Sequence, residues 1–331
     1  MASHDAGEEE EEEIIHVGGP NIAGWEDVTS VQAEQEVPPV VAVQYDANDR
    51  ATMNLFAAVL KSGEVSERVY NLTTDVIYIN SANYTAWETR WRCLEDLPDL
   101  FLQKESVFLD DMLDLNPKNY QLWNYRRRFA LKRGKVFEEE EFLYSGRCLA
   151  DDAKNYHAWA HRAAIADAFD AWDRELPIIT KMLSEDVRNN SAWNHRFLTL
   201  QRLLEREPAE ALLESELASL STIILRAPHN ESAWNYLRGL CCNLKQSAPL
   251  NYSPRDISLK VLEKCSTCGP ALAFLADSCS AQKLLLPQRG NQKLAEAATA
   301  EGIRLYKALE VTDPIRAAYW QLCQANLLNV P

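Results

Sequence analysis

Apolar residues along most of the chain recur every three or four positions, which is the spacing of one face of an α-helix. Residues 108–115 (FLDDMLDL) show this spacing, and two later spans, 271–286 and 292–309, keep it. Only 11 glycines interrupt the chain, and runs of Val, Ile and Thr are few. The pattern predicts an all-α protein.

From residue 80 onward the sequence repeats a phrase, Asn-Tyr-x-x-Trp-x-x-Arg, whose tryptophans are 36, 36, 34 and 41 residues apart. This interval is the length of two helices and two turns, so it predicts helical hairpins stacked into an α-α superhelix, a crescent-shaped right-handed solenoid. The phrases lie at 83–92, 119–128, 155–162, 190–196 and 230–238, with a degenerate copy near 313–320.

Within a phrase, the Tyr, Trp and Arg lie at i, i+3 and i+6, which places them along one stripe of a helix. Such a stripe predicts packing of one hairpin on the next rather than chemistry. We expect each arginine to lie along the adjacent tryptophan or to cap a neighbouring helix. In the fourth phrase we take Asn190 as the first residue.

Residues 1–50 combine a glutamate run with three prolines and show no helical period, which predicts an acidic, largely disordered or extended N-terminal arm. Within it, Trp25 and residues 40–43 are apolar enough to dock on the body or on a partner, and a loosely ordered arm is the alternative. Residues 51–331 are predicted to form one helical repeat domain whose atypical last units cap the solenoid.

The formal net charge of −15 comes partly from this arm, because residues 8–13 are all glutamate. An acidic surface disfavours nonspecific binding to nucleic acid and to anionic membranes.

The eight cysteines are scattered and no apolar run reaches 18 residues, so neither a disulfide framework nor a bilayer-spanning helix is expected. Since no secretory or organelle signal is apparent, we expect a cytoplasmic protein.

Three blocks carry a resemblance to a known family: residues 152–159 (DAKNYHAW), 185–194 (EDVRNNSAWN) and 228–237 (PHNESAWNYL). The period is near that of tetratricopeptide repeats, but the Leu-Gly and Ala-x-x-x-Phe positions of those repeats are missing. The blocks resemble the repeat of protein prenyltransferase α subunits, and the likeness runs roughly from residue 25 to 331. Lys154 in the third unit favours the CaaX enzymes, farnesyltransferase and geranylgeranyltransferase type I, over the Rab enzyme.

In those enzymes the cysteine thiolate of a C-terminal CaaX motif attacks the first carbon of an isoprenoid diphosphate, and negative charge grows on the departing diphosphate. The resemblance implies that Lys154 stabilises this charge, with Tyr156 beside it as a second catalytic residue. It also implies that Tyr120, His157 and Asn189 bind substrate or surround the lysine. Without the resemblance, Lys154 would be interpreted as a solvated lysine at a helix start. A cation is unfavourable there because it opposes the helix dipole, and an anionic ligand would relieve this.

The resemblance further implies a heterodimer with a β subunit, with farnesyl or geranylgeranyl diphosphate and CaaX-terminated proteins as substrates. Zinc is expected on the partner β subunit, and magnesium with the diphosphate for farnesyl transfer. In this chain, Cys265-x-x-Cys268 lacks the second pair that a zinc site needs, and no Gly-rich phosphate loop, Ser-centred elbow or His-Glu-x-x-His is present.

Two other functions fit the repeats: a Rab geranylgeranyltransferase α subunit, and a noncatalytic solenoid adaptor in which Lys154 is incidental. The sequence leaves open which β subunit and isoprenoid are used, which proteins are modified, and what the glutamate run does. A chain with a large partner-facing surface is also expected to aggregate when unpaired.

Overall fold

The computed structural model describes residues 24–29, 44–206, 210–243, 254–285 and 291–329. These residues form fifteen α-helices and a few short 3₁₀ turns, without a strand, so the all-α prediction is confirmed. The chain divides into two compact units, one ending at Phe137 and the other beginning at Glu138. The glutamate run and residues 40–43 lie outside the described residues, and the predicted boundary at residue 50 stays a prediction.

The described residues of the first unit form five helices, of which α2 packs on α1 and α3, α4 packs on α5, and α3 lies against α5. Their bounds are α1 Ala47–Ser62, α2 Glu67–Ile79, α3 Tyr84–Asp96, α4 Leu100–Leu115 and α5 Tyr120–Arg133.

Trp25 is buried in this unit although it belongs to the predicted arm. The Arg68 guanidinium lies 4.4 Å from the centre of its indole ring and donates to the Gly24 carbonyl at 2.7 Å and to Asp27. Of the predicted alternatives, docking of Trp25 on the helical body is the one that the structure shows.

In the second unit, the described residues form ten helices. Helices α7, α9, α11 and α13 pack in succession, and each also packs against the helix before it. The bounds of these helices are α6 Glu138–Asp151, α7 Tyr156–Phe169, α8 Glu175–Glu185, α9 Asn190–Arg206, α10 Glu210–Arg226, α11 Glu231–Asn243, α12 Pro254–Lys264, α13 Gly269–Leu285, α14 Gln292–Thr312 and α15 Ala317–Asn329.

The asparagine and the tryptophan of each phrase both bond to the backbone where the phrase helix begins. Its asparagine accepts hydrogen bonds from backbone N–H groups of the first helical turn, as Asn155 does from His157 and Ala158 at 2.9 and 3.2 Å. Its tryptophan donates Nε1–H to a carbonyl six residues upstream, as Trp159 does to Ala153 at 3.0 Å. The same tryptophan bond recurs at Trp87, Trp123, Trp193 and Trp234.

The asparagine also joins one repeat to the one before it. Asn189 Nδ2 donates at 3.0 Å to the carbonyl of Ala153, the acceptor that Trp159 already uses. Asn230 Nδ2 does the same at 2.7 Å to the carbonyl of Val187. The carbonyls of Ala153 and Val187 are thus each shared by two successive repeats, which fixes these two loops in place.

Asn189, and not Asn190, is the residue that corresponds to the asparagines of the other phrases. Its Oδ1 accepts from Ala192 N at 3.1 Å, and it lies four residues before Trp193, the same interval as in the other four phrases. Asn190 is exposed at the first position of α9. The register predicted for the fourth phrase was therefore wrong by one residue.

The prediction that the phrase tyrosines pack in one stripe with the tryptophans was wrong. Tyr84, Tyr120 and Tyr156 are 70–72% exposed, whereas all five phrase tryptophans are buried. Positions i and i+3 differ by roughly 60° around a helix, and each of these tyrosines is the first residue of its helix. This difference leaves three aromatic side chains facing solvent.

A buried glutamate lies at the junction between repeats. Glu175 accepts two hydrogen bonds from the Arg162 guanidinium, at 2.7 and 3.0 Å, and lies 2.7 Å from His195 Nε2 of the next phrase helix. Glu216 likewise accepts from Arg196 and, at 2.7 Å, from the Tyr236 hydroxyl. The prediction that the phrase arginines lie along the tryptophans or cap helices was therefore wrong for Arg162 and Arg196, which pair with buried carboxylates.

The same arrangement occurs elsewhere in each unit. Glu141 lies 2.8 Å from His161 Nε2, and in the first unit Glu105 accepts from Arg90 and from the Tyr70 hydroxyl. These glutamates have a sequence signal that the phrase did not reveal, because each precedes the tryptophan of the following phrase by 18 residues. The fifth phrase departs from the pattern, since Arg238 is partly exposed and pairs with Asp277 at 2.9 Å.

Glu175→Gln is expected to destabilise the protein by about 3–5 kcal/mol, because the neutral amide leaves the Arg162 charge buried without a counter-ion. Glu231→Gln is the matched control, since it removes an exposed carboxylate paired with Arg316 and is expected to cost at most ~1 kcal/mol. Urea denaturation of the full chain measures both free energies of unfolding. Equal losses in the two variants would contradict the assigned role of Glu175.

The Glu175 contribution is expected to disappear in acid. Burial alone raises the pKa of this carboxyl, but the His195 hydrogen bond and the Arg162 charge outweigh burial and hold the pKa below its usual 4.5. The stabilisation is therefore complete above about pH 4.5 and is lost as the pH falls through the folded-state pKa. The difference in urea midpoint between wild type and Glu175→Gln should stay constant from pH 7 to about pH 5 and shrink below it; a difference that grows in acid would contradict this assignment.

Asn189→Ala is expected to destabilise the protein by about 1–3 kcal/mol, because it removes a helix cap and leaves the Ala153 carbonyl with one donor fewer. Asn190→Ala, one residue away and exposed, is expected to change stability by less than ~0.5 kcal/mol. Thermal and urea unfolding of the two variants compare the positions directly, and the reverse order would restore the register starting at Asn190.

Candidate functional site

Lys154 lies in the loop between α6 and α7, immediately before the asparagine that caps α7. Its backbone N–H donates to the Asp152 carboxylate at 3.0 Å. The preceding residue, Ala153, carries the carbonyl shared by Trp159 and Asn189. Rigid backbone therefore holds a side chain that is itself 65% exposed.

The ammonium of Lys154 has one ion-pair partner in the described part of the chain. Its Nζ lies 3.6 Å from Asp186 Oδ2, a carboxylate in the loop between α8 and α9. Asp186 is 48% exposed, so the pair faces solvent and its attraction is weakened by water and salt. An anion arriving from solvent can therefore reach the ammonium.

Tyr156 and His157 open α7 and differ in exposure. The Tyr156 side chain projects into solvent, whereas His157 is buried with its ring packed edge-on against the tyrosine, the ring centres 5.4 Å apart. Tyr156 thus presents a hydroxyl beside the lysine loop, and His157 supports the tyrosine ring.

Asn189 and Tyr120 lie outside the segment 154–157 that carries the other predicted site residues. Both ends of the buried Asn189 amide are engaged, one by Ala192 and the other by Ala153, so the residue supports the loop that carries Lys154. Tyr120 is exposed at the start of α5 in the first unit. The structure thus groups Lys154, Tyr156, His157 and Asn189 in the second unit, and Tyr120 is described only within its own unit.

Sequence reasoning missed Asp186 and Arg188. Arg188 is exposed and occupies, before Asn189, the position that Lys154 occupies before Asn155. Its backbone N–H donates to Asp186 Oδ1 at 2.9 Å, as that of Lys154 does to Asp152. The signal was present in the shared spacing Asp-x-cation-Asn, which becomes visible only in the corrected register.

Cys268 of the Cys-x-x-Cys pair is buried, and its thiol donates to the Pro228 carbonyl at 3.3 Å. Burial raises the pKa of this thiol, which disfavours the thiolate that a metal would require. Across the described ranges, no three or more His, Cys, Asp or Glu side chains cluster as a metal site would need. The helices of the same ranges include none with the length and apolarity to cross a membrane.

Comparison with known proteins gives a consistent family assignment. The family model for the protein prenyltransferase alpha subunit repeat matches residues 102–132, 138–169, 172–203 and 213–244. The farnesyltransferase/geranylgeranyltransferase type-1 subunit alpha of Pisum sativum is 35% identical over 309 residues, covering 89% of this chain and 91% of the pea protein. The same subunit of Solanum lycopersicum is 39% identical over 307 residues, with 89% and 87% covered.

A solved structure agrees with the sequence relatives. One chain of the Candida albicans protein geranylgeranyltransferase-I complexed with GGPP superposes with a TM-score of 0.75 and 28% identity, covering 91% of this chain and 97% of that one. The predicted α-α superhelix of helical hairpins is thereby confirmed. With the repeats, the capped loops and these relatives in agreement, the chain belongs to the protein prenyltransferase α subunit family.

Proposed function

We propose that this chain is the α subunit of a heterodimeric CaaX prenyltransferase that transfers farnesyl, or geranylgeranyl with another β subunit, to the cysteine of a C-terminal CaaX motif. The observation that carries the proposal is the exposed Lys154 ammonium on a loop fixed by neighbouring repeats. Relatives that are named as this subunit and align along 89% of the chain support it.

Lys154 is proposed to stabilise the diphosphate that departs when the thiolate attacks the first isoprenoid carbon. The sulfur–carbon bond forms as the carbon–oxygen bond breaks, and the electron pair of that bond goes to the diphosphate. The α7 dipole adds to the attraction, because Lys154 lies directly before the positive end of the helix. Asn155 already accepts the N–H groups of His157 and Ala158, so the anion would meet the ammonium and the dipole rather than these backbone donors.

Tyr156 is proposed to donate its exposed hydroxyl to a diphosphate oxygen beside the lysine. Tyr120 and His157 are proposed to bind substrate, Tyr120 through an exposed ring and His157 mainly by orienting Tyr156. Asn189 is proposed to act indirectly, by holding the Ala153 carbonyl and hence the lysine loop.

A β subunit is proposed to complete the active site. Tyrosine is enriched at protein interfaces, and Tyr84, Tyr120 and Tyr156 are exposed at the starts of phrase helices, which supports contact with a partner at these helix starts. The family resemblance assigns to the β subunit the zinc that stabilises the peptide thiolate, and it assigns magnesium to the diphosphate in farnesyl transfer. We propose the cytoplasm as the place of action.

Lys154→Ala is expected to lower kcat for CaaX peptide prenylation by about 10²-fold, because one charge-stabilising donor is lost from the transition state. The peptide KM and assembly with the β subunit should change little, since Lys154 is exposed and its ion pair with Asp186 faces solvent. The assay uses a fluorescent CaaX peptide with this chain alone and with each candidate β subunit.

Lys181→Ala is the matched control, because Lys181 is an exposed lysine on α8 without a place in the site. Activity is expected only in the paired samples, with the control at the wild-type rate. A Lys154→Ala heterodimer as active as wild type would refute the catalytic assignment and favour the adaptor function.

A further inference from the structure

The Lys154–Asp186 pair joins two successive loops of the second unit. The lysine belongs to the loop before α7 and the aspartate to the loop before α9, and Nζ lies 3.6 Å from Oδ2. Both side chains are exposed enough to exchange partners with solvent ions, 65% and 48% respectively. The pair therefore sits where the proposed diphosphate would have to bind.

Asp186 and Lys154 differ in how far hydrogen bonds restrain their side chains. Asp186 is fixed at three points: its Oδ1 accepts from Arg188 N at 2.9 Å, its N–H donates to Met182 O at 2.9 Å, and its carbonyl accepts from Asn189 N at 3.0 Å. Lys154 is fixed at its backbone, whereas its long side chain has one polar partner among the residues that the structure describes, at the ammonium. When this contact breaks, we therefore expect the lysine side chain to move and the aspartate to stay in place.

We propose that Asp186 is a positioning residue for the prenyl transfer reaction, a resident counter-ion that holds the Lys154 ammonium until a diphosphate takes its place. The inference rests on the proposed function. An anion that binds Lys154 must compete with this carboxylate, so Asp186 weakens diphosphate binding and speeds its release after transfer. The bond from Arg188 N keeps the carboxylate in place when the lysine turns to the anion.

The size of the effect follows from the exposure of the pair. Exposed charge pairs are weak, so loss of the competing carboxylate is expected to tighten diphosphate binding by about two- to fivefold. Binding of the CaaX peptide does not involve this competition, and its KM should stay the same. A merely structural residue would instead change assembly, or all kinetic constants together.

The experiment measures inhibition by inorganic diphosphate and the peptide KM in the assembled heterodimer. Asp186→Asn is expected to lower the inhibition constant of diphosphate about two- to fivefold, and Asp186→Glu, which restores the charge, should return it towards the wild-type value. Asp277→Asn is the matched control, because Asp277 is 47% exposed and pairs with Arg238 at 2.9 Å in the same unit. This control is expected to leave the inhibition constant unchanged.

The double variant Lys154→Ala/Asp186→Asn tests whether Asp186 acts through the lysine. In the Lys154→Ala background, Asp186→Asn should have no effect on the inhibition constant. An equal effect in that background would mean direct repulsion of the anion and would overturn the positioning role. So would an unchanged or higher inhibition constant in Asp186→Asn alone.

These failures can be told apart from failure of the proposed function. If Lys154→Ala weakens both diphosphate inhibition and catalysis while Asp186→Asn changes neither, only the role of Asp186 is overturned. If Lys154→Ala itself changes neither, the proposed function of Lys154 fails, and the inference about Asp186 fails with it.

Discussion

A carboxylate buried between successive repeats is the interaction on which the rest of the structure depends. Glu175 is fully buried, so its charge is tolerable only because Arg162 and His195 approach from two different helices and satisfy its oxygens. Because the partners belong to consecutive phrases, the helices must pack in one register for the charge to be neutralised. Apolar packing alone would accept small shifts of one hairpin along the next, and the buried pair does not.

The position of the loops follows from this register. Once the phrase helices are aligned, the asparagine of one repeat lies against the loop of the repeat before it, and Asn189 meets the carbonyl of Ala153. Lys154 follows that carbonyl directly. A charged side chain is thus presented to solvent from backbone that both repeats hold, which is the rigidity that a site for a developing charge requires.

The same construction explains why the site is open on one side. Three phrase helices, α3, α5 and α7, begin with exposed tyrosines, and the exposed cations Lys154 and Arg188 lie two residues before α7 and α9. Such an edge stabilises little of the fold by itself and is available to a partner and to an anionic substrate. Scaffold and chemistry are therefore separated within a repeat, the scaffold in the buried second half of the phrase and the chemistry at its start.

Most of the candidate site could be named from the sequence, but not the contacts that hold it. The resemblance singled out Lys154 and Tyr156, and the structure shows both exposed beside one capped helix start. It did not single out Asp186, because the partner of a flexible lysine depends on which loop lies across from it. Asn189 was expected to bind substrate or to surround the lysine, and its buried amide bonds to one backbone carbonyl and one backbone N–H, the carbonyl being that of Ala153 in the lysine loop.

The sequence by itself determined the helices and their period, because these depend on residues three to four positions apart, whose relation the geometry of a helix fixes. Only the tertiary structure decided that Arg90, Arg162 and Arg196 pair with glutamates 13 to 20 residues away and that Tyr84, Tyr120 and Tyr156 face solvent. It also showed that Asn189 rather than Asn190 carries the cap of α9. Such contacts depend on how one hairpin packs on the next, and the geometry of a single helix leaves that packing undetermined.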